Sequence, residues 1–284
     1  MSGVDPGGPI ISLREVSHVY PGGVVGLDRV SLDVSPGQVL GIAGANGAGK
    51  STLARLLNGL LRPSSGHVVV DGLDTRRHDT AELAGHVGLV FQEPGMQLFA
   101  RTVADELAFG PRNLGVSGDE LQERLVAVAR RFELVPFLGH HPYTLPMPLR
   151  RLLAIASVVA MRPPILVLDE PTTGQDHRIA GTMRSLIEGL SDEGVTIVCV
   201  SHDMSLLAAV ADRIAAMAAG RIVVEGTPRD VFGNEAALRE IGLRGPQVAR
   251  LSSGLARWRG PVALSVPELV AGLRAGPAAD STGA

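Results

Sequence analysis

Residues 44–51 read Gly-Ala-Asn-Gly-Ala-Gly-Lys-Ser, setting one ammonium and one hydroxyl behind three glycines. Gly, four residues, Gly, Lys and Ser form a phosphate-binding loop when they follow a strand and open a helix. The glycines let backbone N–H groups turn inward round phosphate oxygens. The start of the helix adds partial positive charge. Lys50 reaches the β and γ phosphates of a nucleotide, and the Ser51 hydroxyl suits Mg²⁺. The candidate nucleotide contacts are Gly44, Ala45, Asn46, Gly47, Ala48, Gly49, Lys50, Ser51 and Thr52. The 26 basic residues of the chain are 25 arginines and this single lysine. It falls where a compact ammonium is needed and a planar guanidinium would not serve.

Four other segments carry chemistry that such a loop would use. Residues 165–170, Ile-Leu-Val-Leu-Asp-Glu, are an apolar strand ending in two carboxylates. Asp169 is placed to enter a Mg²⁺ shell, and Glu170 to orient or deprotonate an attacking water. Gln92, after a strand, is a candidate bridge between Mg²⁺, water and a mobile subdomain. His202, after the next strand, is a candidate γ-phosphate contact. Tyr20, ahead of Pro21-Gly22-Gly23, could stack on an adenine ring. Taken singly, each has a plain structural reading: solvated acids, a polar loop residue, a structural histidine, a core aromatic. Their order and spacing favour the joint reading.

These side chains need a scaffold of alternating strands and helices. Residues 10–20, 30–34, 37–43, 67–71 and 86–92 read as strands, and 50–61 as a helix after the glycine loop. Residues 95–162 are mostly helical by pattern, with helices over 102–114, after Ser117 and over 148–161. Ser117 and Glu120 have capping-box spacing. The α/β rhythm resumes with a strand at 165–169, a helix at 177–193, a strand at 196–201 and a hairpin over 213–218 and 221–225. Such alternation predicts a largely parallel sheet. From about 236 the chain turns rich in Ala, Gly, Leu, Pro and Arg, with a helix expected over 267–273 and fraying over 278–284.

Composition narrows the function class. The chain has 284 residues, 45% of them apolar, enough for a substantial core. A net charge of −3 and nine aromatics (one Trp, two Tyr, six Phe) give no nucleic-acid footprint. One cysteine, Cys199, excludes an internal disulfide. No apolar run approaches the ~18 residues of a spanning helix, and no secretion signal is visible at the N-terminus. His140 and His141 precede Pro142 and are read as solvated rather than as metal ligands. Trp258 is read as an anchor for the tail, on the core or on a partner.

With these stretches in hand, the sequence resembles the ATPase subunits of ATP-binding-cassette transporters, over about residues 10–235. The resemblance is nearest to the energy-coupling-factor and cobalt/nickel importer branch. It is carried by VYPGG at 19–23, GANGAGKSTLARLLNGLLRPSSGHVVVDG at 44–72, FQEPGMQLFARTVADELAFGPRNLGV at 91–116, LVLDEPTTGQD at 166–176 and SHDM at 201–204. It implies a P-loop NTPase (RecA-like) α/β core with an antiparallel β subdomain, a helical insert at about 95–162 and a C-terminal extension from 236 to 284. It implies ATP and Mg²⁺ as ligands and two cassettes closing head to tail over two ATP molecules. Separate membrane coupling and substrate-binding subunits would make this a peripheral protein on the cytoplasmic face of the membrane. By motif, Tyr20 would stack on adenine, Gln92 would be the Q-loop residue and Asp169 the Walker B acid. Glu170 would be the catalytic acid and His202 the switch histidine. Gln175 stands where the family has Leu, a mild departure.

A larger departure lies at the signature loop. Where the family reads Leu-Ser-Gly-Gly-Gln, this chain has Leu145-Pro146-Met147-Pro148-Leu149. The serine hydroxyl and both glycines are gone, and proline has no N–H to donate. The chain's own ATP site is thus expected to be intact, and its contribution to a partner's site weak. A heterodimer with a cassette of normal signature is the preferred expectation, and a homodimer the alternative. The leading function is a transport ATPase powering uptake of a small solute, a metal ion or a vitamin. The alternative is a nucleotide-gated regulatory cassette with little hydrolysis. The segment 92–99, with Met96, Leu98 and Phe99, is the expected docking surface for the membrane subunit.

Overall fold

The computed structural model describes residues 8–172, 177–255, 258 and 260–274. Two sheets are built from the strands the sequence marks, together with one short strand, Leu73–Asp74, that it does not. The first half runs β1 (Ile11–Val19), β2 (Val25–Val34), β3 (Val39–Gly44), α1 (Lys50–Leu57), β4 (Ser65–Val70), β5 (Leu73–Asp74), α2 (Thr80–Ala84) and β6 (Val87–Val90). An antiparallel sheet has the order β2-β1-β4-β5. The helix expected to reach Leu61 stops at Leu57, because Gly59 adopts a left-handed backbone with φ 74° that a helix cannot continue.

Three helices follow: α3 (Val103–Asn113), α4 (Gly118–Arg131) and α5 (Met147–Val159). Ser117 precedes α4, but its side chain makes no capping hydrogen bond. The capping box expected there is not formed. Glu120 is instead engaged by Arg124, one turn on, at 2.6 Å.

The core resumes with β7 (Ile165–Asp169), α6 (His177–Asp192), β8 (Thr196–Val200), α7 (Met204–Val210), β9 (Arg213–Ala218) and β10 (Arg221–Gly226). The second sheet has the order β10-β9-β3-β8-β7-β6, parallel throughout except for the β9–β10 hairpin. Every residue of β3, β6, β7 and β8 is buried, as in a parallel sheet covered on both faces. Alternate side chains divide between two cores. Val39, Leu166, Leu168, Ile197 and Cys199 face the helices, whereas Leu40, Ile42, Val167, Val198 and Val200 pack with α1 and the antiparallel sheet.

The tail forms α8 (Pro228–Gly233), α9 (Glu235–Glu240), α10 (Gln247–Gly254) and α11 (Val266–Arg274). Val231, Phe232, Leu238 and Ala249 join the helical-side core. Trp258 packs on the tail's own last helix. A Cβ at Gly272 would meet its ring at 2.4 Å, and its indole N–H donates to the Pro261 carbonyl at 3.1 Å.

Candidate functional site

The loop from 45 to 49 joins the buried end of β3 to the first turn of α1. No side chain caps α1, so its first N–H groups are left to an incoming ligand. Gly49 has φ 102°, and a Cβ there would lie 2.5 Å from the Gly26 carbonyl. Only glycine fits this crossing. The Lys50 ammonium, 7% exposed, donates to the Gly44 carbonyl at 2.8 Å and the Ala45 carbonyl at 3.2 Å, which curl the loop round it.

The parallel strands β6, β7 and β8 deliver the remaining groups at the same edge, the carboxyl ends where such sheets bind ligands. A cavity of about 580 Å³ is lined by Tyr20, Gly26, residues 46–52, Gln92, Glu170 and His202. Among the expected site residues, Gly44, Ala45 and Asp169 are not part of its wall. The first two act through their carbonyls on Lys50, and Asp169 is buried behind Ser51.

Glu170 is buried and central. Its Oε1 lies 3.9 Å from the Lys50 ammonium. Its Oε2 is 2.6 Å from His202 Nδ1 and accepts the His202 backbone N–H at 3.2 Å. Its own N–H donates to the Val200 carbonyl at 2.8 Å. It holds φ 53°, a left-handed conformation that costs a residue with a side chain of the order of 1 kcal/mol and persists only where neighbours impose it.

Asp169 has a carboxyl raised above the usual range by burial, an effect opposed by its bond to Ser51 and increased by the charge of Glu170. Its Oδ1 is buried with no hydrogen-bond partner among the described residues. An orphaned carboxylate oxygen beside a serine hydroxyl fits a hard divalent cation of the Mg²⁺ class, with Gln92 across the cavity as a further oxygen. Tyr20 is half-buried. Its hydroxyl pairs with Thr52 Oγ1 at 2.9 Å, and its ring stands edge-on to His18.

Two residues of this neighbourhood were given no role at the site by the sequence reading. Arg151 of α5, 8% exposed, donates to the Glu170 carbonyl at 3.4 Å, the Pro171 carbonyl at 3.2 Å and the Gln92 carbonyl at 3.2 Å. Burial lowers its pKa against the opposing pull of Glu170. Gln97 accepts the Phe91 N–H at 3.2 Å and donates to Ala154 and Ser157 of α5 at 2.6 and 3.2 Å. Neither bond set shows in local spacing, since every partner except Phe91 lies at least 19 residues away.

The stretch Leu145–Leu149 opens α5. Pro146 stands at its N-cap with no side-chain capping bond, Leu145 is buried and Met147 is exposed. Arg150 donates from Nε to the Leu145 carbonyl at 2.9 Å and lies over the Tyr143 ring. The expected docking segment divides. Met96 and Phe99 are 66% and 62% exposed, and Phe99 meets exposed Phe109 edge to face at 4.7 Å. Leu98 is 3% exposed and belongs to the core under α3 and α5, so it offers no surface. His141 accepts the Tyr143 N–H at 3.2 Å, and His140 packs edge-on to Phe137. Gln175 lies outside the described residues. Among the described residues, no helix is long and apolar enough to cross a membrane.

A family model described as ABC transporter matches residues 27–173. An ABC transporter ATP-binding protein of Caldanaerobacter subterraneus subsp. tengcongensis is 39% identical over 264 residues. The match covers 93% of this chain but 46% of that protein, so the chain spans about half its length. The energy-coupling factor transporter ATP-binding protein EcfA2 of Symbiobacterium thermophilum is 40% identical over 277 residues, covering 94% of this chain and 96% of its own. Among solved structures, CbiO1 of Clostridium perfringens, described as part of the ABC transporter complex cbiONQ, superposes with a TM-score of 0.73 at 31% identity. That match covers 86% of this chain and 98% of that one.

Proposed function

This chain belongs to the ABC transporter family of ATP-binding proteins, and on that premise we propose that it is the ATP-hydrolysing subunit of an importer of the energy-coupling-factor type. One observation carries the reading. The only lysine of the chain sits inside a glycine loop at the start of α1, with Glu170 and His202 across the same cavity.

The residues divide the work. N–H groups of the loop and the Lys50 ammonium hold the β and γ phosphates. Ser51, Asp169 and Gln92 hold Mg²⁺, which when bound draws negative charge off the phosphate oxygens. Glu170 accepts a proton from the attacking water, and His202 orients Glu170 and contacts the γ phosphate. Tyr20 offers its ring to the adenine.

The chain works with membrane subunits as a peripheral protein on the cytoplasmic face, and the cargo is a small solute such as a metal ion or a vitamin. It pairs with a second cassette. Pro146, Met147 and Pro148 supply neither the hydroxyl nor the flexible backbone donors of a normal signature. Loss of charge-assisted bonds costs about 1.5–3 kcal/mol each. The preferred partner is a cassette with an intact signature, which leaves one competent site, built on this chain's P-loop. The same loop favours a second reading, a regulatory cassette that binds ATP with little turnover.

Steady-state ATP hydrolysis separates these. The pure chain is expected to be slow, and addition of its partner cassette to raise a rate that Glu170→Gln cuts to a small but measurable residue. A robust Glu170-dependent rate from the pure chain contradicts the heterodimer. ATP binding without hydrolysis in the full complex selects the regulatory reading.

A further inference from the structure

Glu170 keeps its left-handed backbone because bonds surround it: its N–H to Val200, its carboxylate to His202, and its carbonyl to Arg151. The first two come from β8 and the residues just after it, the rigid sheet itself. The third comes from α5, a helix of the insert. The same guanidinium also holds the Pro171 and Gln92 carbonyls. The Gln92 loop is tied to α5 a second time through Gln97, whose amide spans from Phe91 to Ala154 and Ser157. Helix α5 begins at the altered loop, Leu145–Leu149, four residues before Arg151 on one continuous element.

We propose that Arg151 is a positioning residue for hydrolysis. It mounts the carbonyls of Glu170, Pro171 and Gln92 on one buried guanidinium, so that the setting of α5 decides the aim of this chain's own Glu170 and Gln92. Three acceptors from two separate loops match the planar fork of an arginine, which no lysine reproduces. Whatever the opening loop of α5 meets therefore acts in cis on the bound nucleotide's water, besides anything it does for a partner site. These three bonds end on backbone carbonyls, and Arg151 is not among the residues that line the cavity, so it affects turnover rather than nucleotide affinity.

The inference rests on the ATPase reading above but fails separately from it. The test is ATP hydrolysis by the complex purified through a tag on this chain, with Arg151→Lys and Arg151→Met compared with the parent. Arg151→Lys is expected to lower kcat by about 10- to 100-fold, with KM for ATP and nucleotide Kd within about threefold, the mark of a group that acts on the chemical step. In the Glu170→Gln background, Arg151→Lys is expected to leave the residual rate unchanged, because there is no longer a carboxylate to aim. Arg151→Met leaves buried carbonyls unpaired. If it fails to assemble, the lysine variant and the cycle with Glu170→Gln carry the test. An unchanged kcat in Arg151→Lys, a parallel rise in KM, or an equal drop in both backgrounds overturns the proposal. Failure of the ATPase reading would instead appear as ATP affinity indifferent to Lys50.

Discussion

Two helix starts in this molecule have the same architecture and opposite chemistry. Helix α1 opens from a glycine loop whose N-cap, Gly49, is left-handed, and its first residue is a buried lysine. Helix α5 opens from Pro146 after buried Leu145, begins with exposed Met147 and carries Pro148 in its first turn. Neither is capped by a side chain. At α1 the free N–H groups face a cavity with a cation, so an anion is stabilised there. At α5 a proline removes a donor, and side chains occupy the space that glycines would leave. A helix dipole is common to both, so the dipole by itself does not make a phosphate site. Backbone access and a nearby cation do.

The comparison can be broken at either end. The largest effect is expected at α1. Gly49→Val adds a branched side chain where even a Cβ would lie 2.5 Å from the Gly26 carbonyl. ATP affinity should fall by more than about 100-fold in a binding titration, on the scale of losing two phosphate bonds. A bound nucleotide in that variant would break the account of the loop. Next in size, rebuilding the start of α5 as Pro146→Ser, Met147→Gly, Pro148→Gly and Leu149→Gln should raise hydrolysis by the pure chain about 10- to 100-fold, for one or two recovered donors. No gain would mean that proline was not the obstacle.

A smaller effect is expected on the exposed face before α3. Met96→Asp with Phe99→Asp should weaken copurification of a membrane subunit by about tenfold, as for loss of one or two apolar anchors. Leu98→Asp should instead unfold the helical region, since Leu98 is buried.

The smallest is a stability change at Asp169. Its folded carboxyl is raised above the ordinary 3.8 by burial, so the folded state holds the proton more tightly than the unfolded chain. Its favourable contribution is present below pH 4 and is lost as pH rises through the folded value. In metal-free buffer at pH 7, Asp169→Asn should therefore melt higher, by about 2 °C for each kcal/mol relieved. The difference should vanish near pH 3.5. A lower melting point at pH 7 would show that the orphaned oxygen is not a burden.

The sequence revealed most of what is contiguous. The phosphate loop, the strand ending in Asp169 and Glu170, and the α/β alternation are local patterns set by periodicity and by residue types with few alternatives. What depends on which distant group arrives was not legible. Glu120 had two partners within reach, the α4 start and Arg124, and local spacing could not choose between them. Leu98 and Phe99 are neighbours of like chemistry, and only the packing of α3 and α5 buries the one and exposes the other. Arg151 carried no motif of its own, because its three carbonyls come from residues 19, 20 and 59 positions away.

The central claim is that the start of α1, and not the start of α5, grips the nucleotide. Equilibrium titration of labelled ATP into the chain measures this directly, with Lys50→Ala and Met147→Ala side by side. The account predicts at least about a 100-fold loss of affinity for Lys50→Ala, the scale of two charge-assisted bonds, and no change for Met147→Ala. Equal affinities for the parent and Lys50→Ala would contradict it.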